Sequence, residues 1–194
     1  MLTSATEPSY PPQYSEIREA GEAMDFTMPS DQRVGELLRS LVAAKPGGNF
    51  LELGTGLGLS LAWMVQGMHP DARILSLDNQ VQYTDFVSTL FQNDARVSIV
   101  CADGKEWLEN YLGPPFDLIF ADTWPGKYHQ LERTLDLLPI GGTYIVDDML
   151  PQSNWPEGHA AKANHLRATL ASREDLWVCP LEWASGVILC VKRS

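Results

Sequence analysis

Three glycines, Gly54, Gly56 and Gly58, alternate with other residues in the segment FLELGTGLGLS, where a predicted strand is followed by a predicted helix. Glycine lets the main chain turn tightly and lets a ligand approach the backbone closely. The free N–H groups at the start of the helix favour an electron-rich ligand. The segment therefore predicts a cofactor-binding turn.

The spacing of these glycines distinguishes between classes of cofactor. A dinucleotide fingerprint needs glycine or alanine at position 59, where this chain has Leu59. The next predicted strand, RILSLD, ends in Asp78, and a carboxylate there can accept hydrogen bonds from both hydroxyls of a ribose. Asp78 could instead cap a turn, but the glycines and the acid occur together in the topology of a cofactor site. The pattern disfavours an NAD-dependent oxidoreductase.

Carboxylates also follow two later predicted strands. Asp122 ends the strand FDLIFAD, and Asp147 and Asp148 end the strand TYIVDD. The carboxyl ends of parallel strands open onto the ligand crevice, so these side chains should lie close together. Such like charges raise the pKa of at least one carboxyl, and a hard divalent cation such as Mg²⁺ or Ca²⁺ would remove the conflict. The cluster predicts either a metal site or an acidic strand edge without a metal.

Predicted strands and helices alternate along the chain, which implies parallel strands with helices on both faces. The last two predicted strands, LWVCPLEW and GVILCVK, are joined by a short turn and should pair as an antiparallel hairpin. The predicted fold is a single α/β domain over residues 25–194 with a doubly wound, Rossmann-like sheet. Residues 1–24 are expected to form a polar tail that is mobile at its start or serves as a lid.

Two predicted helices flank the strands that carry these residues. One follows Ser30, which we expect to be its N-cap because serine accepts a hydrogen bond from the first helical turn. The other follows the fourth strand, where apolar residues recur at helical spacing. The residues that form this second stripe are Tyr128, Leu131, Leu135 and Leu138.

The net charge of −11, from 25 acidic and 14 basic residues among 194, restricts the partners of the chain. An acidic surface repels phosphate backbones, so nucleic acid is not an expected partner. The sequence has neither an apolar stretch of membrane-spanning length nor a signal-peptide pattern. Cys101, Cys179 and Cys190 form no disulfide framework, and the latter two are expected to be buried thiols. These features favour a cytoplasmic protein that acts on a neutral or cationic small molecule.

The chain resembles the class I S-adenosylmethionine-dependent methyltransferases. ELGTGLG is similar to the first motif of that family, Asp78 falls on its ribose-binding acid, and the terminal hairpin is similar to its reversed seventh strand. Asp103, in the turn CADG, falls where the family contacts the adenine, or is simply a turn residue. The resemblance implies a seven-stranded sheet and S-adenosylmethionine as cofactor. The residues that it implies for the cofactor site are Glu52, Gly54, Thr55, Gly56, Gly58, Ser60, Asp78, Asp103 and Asp122.

From about residue 25 onward the chain is similar to the catechol and caffeoyl-CoA O-methyltransferases. That family carries a metal-binding Asp in a D-x-x-K-x-x-Y segment and an Asp-Asn pair after the fifth strand. DTWPGKY matches the Asp to Asp122 and the Tyr to Tyr128, and Asp147-Asp148 falls on the Asp-Asn pair. The resemblance implies that Asp122, Asp147 and Asp148 bind a divalent metal, and it also implies a homodimer.

The chain departs from that family at the positions that would act as base and metal ligand. The family lysine, which deprotonates the acceptor hydroxyl, falls on Pro125, and proline cannot be a base. Lys127 could reach the site, although a solvated surface lysine is the more common case. Asp148 replaces Asn, which adds a carboxylate that could serve as ligand or base. His159 is a third candidate base because histidine titrates near neutral pH.

The leading hypothesis is methyl transfer from S-adenosylmethionine to a hydroxyl of a small molecule, assisted by a divalent metal that polarises the hydroxyl. Trp124 and Trp155 flank the site and could stack on an aromatic acceptor or serve packing alone. One alternative is a metal-independent methyltransferase with Asp148, His159 or Lys127 as base. Another is a protein that binds the cofactor without catalysis.

Overall fold

A seven-stranded sheet runs through the part of the chain that the computed structural model describes, residues 9–194. Its strands are β1 (Asn49–Leu53), β2 (Arg73–Asp78), β3 (Val97–Cys101), β4 (Leu118–Ala121), β5 (Thr143–Val146), β6 (Leu176–Leu181) and β7 (Val187–Lys192). Their order in the sheet is β3-β2-β1-β4-β5-β7-β6. Strands β1 to β5 are parallel, and β7 pairs antiparallel with both β5 and β6. The doubly wound sheet and the C-terminal hairpin predicted from the sequence are confirmed.

Seven helices within residues 9–194 cover the sheet. They are α1 (Tyr14–Ala23), α2 (Gln32–Ala43), α3 (Leu59–Gly67), α4 (Val81–Leu90), α5 (Gly104–Asn110), α6 (Leu131–Asp136) and α7 (His159–Ala171). One apolar cluster joins α2, α3 and α4 to the sheet, and a second joins α5, α6 and α7 to it. Phe50 and Leu51 of β1 lie in different clusters, as the alternation of side chains along a strand requires. None of these helices combines the length and apolar composition needed to cross a lipid bilayer.

Two helix starts differ from those predicted. The N-cap of α2 is Asp31 rather than Ser30, because the Asp31 carboxylate accepts a hydrogen bond from the backbone N–H of Arg33 at 2.8 Å. Helix α6 begins at Leu131, so Tyr128 lies in the preceding turn. Gln130 has a φ of 52°, and this left-handed conformation prevents the helix from extending back to Tyr128.

Helix α1 lies inside the segment predicted as a tail. Ile17 is buried in the apolar cluster of α2 and α3, and the ring of Tyr10 lies 5.9 Å from that of Trp63. Residues 10–23 are therefore packed onto the domain rather than forming a separate tail. The mobile start that the sequence predicts falls on residues 1–8, outside the described residues.

The cysteines occupy different environments. Cys190 of β7 is buried, and burial raises the pKa of its thiol to about 12. The prediction that Cys179 is buried was wrong, because it lies exposed on β6 at the edge of the sheet. Cys101 is also exposed, at the end of β3.

The order of the strands reverses between β1 and β4, which lie side by side at the centre of the sheet. The register pairs Leu53 with both Leu77 of β2 and Ala121 of β4. The segments that follow β1, β2, β4 and β5 consequently meet at one edge. Open α/β sheets bind ligands at such a point of reversal.

We predict that the contact between α2 and α3 leaves no space for a side chain at position 35, which is Gly35. A Cβ there would lie 2.3 Å from Cδ1 of the buried Trp63 ring, so Gly35→Ala should lower the free energy of unfolding by about 1–3 kcal/mol. Urea denaturation followed by circular dichroism measures this. The matched control is Gly21→Ala in α1, where a Cβ would meet only Leu57, at an ordinary 3.8 Å. Equal stability of Gly35→Ala and the wild type would contradict the packing.

Candidate functional site

The glycine-rich turn after β1 is tied to both neighbouring strands. The N–H groups of Gly54 and Thr55 donate to the carbonyl of Leu77 at 2.8 and 3.2 Å. Gly54 has a φ of 101°, and a Cβ there would lie 3.1 Å from the backbone oxygen of Asp122. Only glycine suits this position, because the conformation is left-handed and the facing atom belongs to the backbone. The turn therefore lies directly against the segment that follows β4.

Asp78 is held in place by backbone donors of this turn and of the next one. Its Oδ2 accepts a hydrogen bond from the N–H of Gly56 at 2.9 Å, and its Oδ1 accepts one from Gln80 at 3.0 Å. Each carboxylate oxygen has a second lone pair, so both can still accept a hydrogen bond from a ligand. The geometry suits a ligand that presents two adjacent hydroxyl groups.

Glu52 lies behind the turn and is completely buried. Its carboxyl group accepts hydrogen bonds from the hydroxyls of Ser60, at 2.7 Å, and Ser76. The hydroxyls of Ser76 and Thr55 are 2.6 Å apart, which extends this network to the turn. Burial raises the pKa of Glu52 to about 7, and the charge of Asp78 acts in the same direction. Glu52 therefore supports the turn from within the protein.

A cavity of about 770 Å³ opens at this edge of the sheet, a volume typical of small-molecule sites. Its walls come from the glycine-rich turn, the ends of β2 and β4, the connection between α1 and α2, and the loop after β5. The residues predicted from the sequence that line it are Gly54, Thr55, Gly56, Ser60, Asp78, Asp122, Lys127, Asp148 and His159. The fold thus brings cofactor and catalytic candidates into one cavity.

Three predicted cofactor residues lie outside the described lining of this cavity: Glu52, Gly58 and Asp103. Gly58 precedes α3 with a φ of 85°. Asp103 is the N-cap of α5, where its carboxylate accepts hydrogen bonds from the N–H groups of Lys105 and Glu106. A contact between Asp103 and an adenine stays a prediction.

The connection between α1 and α2 contributes cavity residues that the sequence reasoning missed, among them Phe26 and Met28. A Cβ on Gly56 would lie 3.0 Å from the Phe26 ring, which itself packs edge-on against Tyr83. In the sequence, Phe26 and Met28 are recognisable only as two apolar residues that belong to no helical repeat. Their position over the turn depends on tertiary packing, which no local pattern reveals.

Asp122, Asp147 and Asp148 meet around a second cavity of about 260 Å³, which shares several lining residues with the first. Burial raises the pKa of Asp122 well above its usual range, and the charge of Asp147 adds to this. Burial also raises the pKa of Asp147, although a hydrogen bond from Ser185 opposes the rise. The sequence predicts that these carboxylates lie close together, but it does not predict the contact with Ser185, which lies in the turn between β6 and β7.

Lys127 is buried, with only 4% of its surface exposed, contrary to the solvated surface lysine considered the more common case. Its Nζ donates a hydrogen bond to the backbone carbonyl of Asp147 at 2.7 Å. Its charge opposes the rise in the pKa of Asp122 and of Asp147, so the ammonium acts on both acids. Lys127 therefore places a positive charge inside the acidic strand edge.

The carboxylates do not form a ready site for the predicted divalent metal. One oxygen of Asp147 accepts hydrogen bonds from Ser185 and from the N–H of Asp148, at 2.7 Å for the latter. Within residues 9–194, no group of three or more His, Cys, Asp or Glu side chains is placed to hold a metal ion. Because Lys127 already supplies a cation to these acids, the residues present do not fit a divalent metal.

Aromatic side chains form the wall beside the acids. His159, at the start of α7, packs against Trp155 with ring centroids 4.5 Å apart, and its Nε2 lies 3.2 Å from the Tyr128 hydroxyl. Burial lowers the pKa of His159, and the charge of Lys127 acts in the same direction, so the imidazole is neutral at neutral pH. Its Nδ1 and the indole N–H of Trp155 are buried without a hydrogen-bond partner in the described structure. Trp124 lines the same cavity.

The chain belongs to the O-methyltransferase family, whose sequence profile matches residues 3–193. The family predicted from the sequence is thus confirmed. Catechol O-methyltransferase of Mycobacterium tuberculosis is 27% identical to this chain over 120 residues, which cover 60% of this chain and 54% of that protein. The chain thus spans about half the length of the curated relatives it matches.

Solved structures show the same fold. The O-methyltransferase from Bacillus cereus, solved in complex with S-adenosylhomocysteine, has a TM-score of 0.81 at 21% identity and covers 100% of this chain and 94% of its own. TomG from Streptomyces achromogenes, an O-methyltransferase of tomaymycin synthesis solved with S-adenosylmethionine, has a TM-score of 0.80 at 19% identity. It covers 100% of this chain and 93% of its own. These structural matches confirm the Rossmann-like fold predicted from the sequence.

The raised pKa of Glu52 predicts a pH dependence of stability. Between pH 4.5, its usual pKa, and about 7, the folded protein holds a proton that the unfolded chain releases, so stability falls as pH rises through this window. Glu52→Gln removes this loss, because glutamine does not titrate. The free energy of unfolding of the variant minus that of the wild type should therefore increase by about 2 to 3 kcal/mol when the pH is raised from 5 to 8.

Urea denaturation at both pH values measures this gain. The matched control is Glu174→Gln, which removes an exposed carboxylate without touching the buried network. A stability difference between Glu52→Gln and the wild type that does not change with pH would contradict the buried, raised-pKa carboxyl.

Proposed function

We propose that this chain transfers a methyl group from S-adenosylmethionine to a hydroxyl oxygen of a small aromatic acceptor. The observation that carries the proposal is the continuous cavity along the sheet edge. Four neighbouring strands each contribute a lining residue or segment where the strand ends. These are Asp78 at the end of β2, the glycine-rich turn after β1, Asp122 after β4 and Asp148 after β5. Because β2, β1, β4 and β5 are consecutive in the sheet, the cofactor and acceptor positions follow one another in that order.

The cofactor assignment rests on the end of the cavity next to β1 and β2. The Asp78 carboxylate is oriented by two backbone donors and can accept hydrogen bonds from both ribose hydroxyls. The hydroxyls of Thr55 and Ser60 also line the cavity beside the turn. Family membership and the cofactor complexes of the Bacillus cereus and Streptomyces achromogenes proteins support the same ligand.

The acceptor assignment rests on the end next to β4 and β5. Trp124 and Trp155 offer aromatic faces on which a planar acceptor can stack. The surrounding carboxylates disfavour an anionic acceptor. A small neutral or cationic phenol fits both properties.

The chain itself must orient the acceptor and remove its hydroxyl proton. When bound, S-adenosylmethionine supplies a methyl group activated by its sulfonium charge. Asp148 is the proposed proton acceptor, because it lines the cavity and no hydrogen bond from the described residues engages its carboxylate. His159 also lines the cavity, but its Nε2 lies 3.2 Å from the Tyr128 hydroxyl and its Nδ1 is buried, so neither nitrogen is available for the proton.

Of the versions of this function that the sequence left open, the structure favours methyl transfer without a divalent metal. The specific observation is the buried ammonium of Lys127 among the acids that would bind the metal. The charge of this ammonium would repel a divalent cation at the same acids. No described feature favours binding of the cofactor without catalysis.

We predict that Asp78→Ala weakens binding of S-adenosylhomocysteine roughly 10- to 100-fold, because a hydrogen bond to a charged group contributes about 1.5–3 kcal/mol. Isothermal titration calorimetry measures the affinity. Asp71→Ala, an exposed position just before β2, is the control and should bind as the wild type does. Unchanged affinity of Asp78→Ala would remove the ribose assignment, and absence of binding by the wild type would overturn the proposed function.

The aromatic wall predicts a preference for phenols over aliphatic alcohols, measured as formation of S-adenosylhomocysteine. Trp155→Ala should raise the KM for a phenol roughly 2- to 10-fold, because an aromatic pair contributes about 0.5–1.5 kcal/mol. The affinity for S-adenosylhomocysteine should stay within twofold. Trp177→Ala, on the exposed face of β6, is the matched control. Equal turnover of phenols and aliphatic alcohols would contradict the aromatic acceptor.

A further inference from the structure

We propose that the ammonium of Lys127 is the resident cation of the acidic strand edge and polarises the acceptor hydroxyl, the task that a divalent metal would otherwise perform. The proposal rests on the methyl transfer proposed above and names the group that acts on the acceptor oxygen. It is carried by the burial of Lys127, by its free hydrogen-bonding capacity and by the turn that directs it inward.

Lys127 has unused donors that face a cavity. An ammonium group has three N–H donors, and in the described structure Nζ has a single hydrogen-bond partner, the carbonyl of Asp147 at 2.7 Å, and lies 5.6 Å from the centroid of the Tyr128 ring. No described carboxylate lies within 4.0 Å of it as an ion pair. The residue lines the larger cavity although it is almost wholly buried. Two donors are therefore left for a ligand that enters the cavity.

A buried charge is costly unless other groups compensate it. The compensation here comes from the acids around Lys127, since its charge influences both Asp122 and Asp147. A divalent cation at the same acids would face repulsion from the ammonium in a partly desolvated site. Lys127 and a metal are thus alternative occupants of one region of negative charge.

The turn between β4 and α6 fixes the inward direction of Lys127. Gly126 has a φ of 84°, and a Cβ there would lie 2.4 Å from the Leu53 side chain. Its carbonyl accepts a hydrogen bond from the buried Tyr144 hydroxyl at 2.5 Å, and its N–H donates to the carbonyl of His129 at 2.8 Å. These contacts hold the turn against β1 and β5, so the position of Lys127 is built into the fold.

The chemistry follows from this position. The ammonium donates a hydrogen bond to the acceptor oxygen and stabilises the negative charge that develops there. The hydroxyl proton passes to the Asp148 carboxylate, which lines the same cavity, the oxygen forms a bond to the methyl carbon, and the bond from that carbon to sulfur breaks. S-adenosylhomocysteine and the methyl ether are the products, and no oxidant or metal is consumed.

The first test uses the wild type with a phenol as acceptor. Formation of S-adenosylhomocysteine should be the same within twofold in EDTA and in Mg²⁺. Electron paramagnetic resonance should detect no site for Mn²⁺ at micromolar concentration. Activity that is lost in EDTA and restored by Mg²⁺ would overturn the proposal while leaving methyl transfer intact. Failure to bind S-adenosylhomocysteine in calorimetry would instead overturn the proposed function itself.

The second test uses variants of Lys127. Lys127→Met should lower kcat at least 100-fold, bind S-adenosylhomocysteine within threefold of the wild type and gain a Mn²⁺ site that Asp122→Asn removes. Lys127→Arg, which keeps the charge, should retain more activity than Lys127→Met. The matched control is Lys105→Met on the exposed face of α5. Equal kcat for Lys127→Met and the wild type, or equally tight Mn²⁺ binding by both, would overturn the role of Lys127.

Discussion

The close approach of Gly54 to the backbone of Asp122 is the constraint on which the site depends. The strand order reverses between β1 and β4, so the segments that leave these strands must share one narrow space at the sheet edge. A Cβ at position 54 would lie 3.1 Å from the Asp122 oxygen, and the left-handed φ excludes most other residues. Gly54 and Asp122 both line the cavity that lies at this edge. Asp78, at the end of β2, and Lys127, in the turn after β4, line the same cavity.

Charge is arranged differently at the two ends of this cavity. Behind the turn, burial raises the pKa of Glu52 to about 7, and hydroxyl groups satisfy its carboxyl. At the strand edge, the charge of Lys127 opposes the rise in the pKa of Asp122 and of Asp147, and its ammonium donates a hydrogen bond to the backbone carbonyl of Asp147. The first arrangement supports the turn, and the second places a cation beside the proposed acceptor position. Both depend on polar groups that are buried but compensated.

The sequence predicts the sheet well, and it predicts that the glycine-rich turn and Asp78 meet at one edge of the sheet, because both depend on local patterns. Apolar runs between turns mark the strands, and the glycines and Asp78 occupy a fixed place in that topology. The end of the cavity next to β4 and β5 is less predictable. Whether Lys127 points inward depends on Gly126 contacting Leu53 and Tyr144, residues distant in sequence. Ser185 reaches Asp147 only through the pairing of β7 with β5. Such contacts have no local signature.

A crystal structure of the protein with S-adenosylhomocysteine shows most directly whether one cavity holds the cofactor and the acceptor side by side along the sheet edge. We expect both ribose hydroxyls to lie within hydrogen-bond distance of the Asp78 carboxylate. We also expect the sulfur to face the space between Asp122 and Lys127, with Lys127 still bound to the carbonyl of Asp147. An adenosine bound away from Asp78, or a sulfur directed away from the acidic strand edge, would rule out this arrangement.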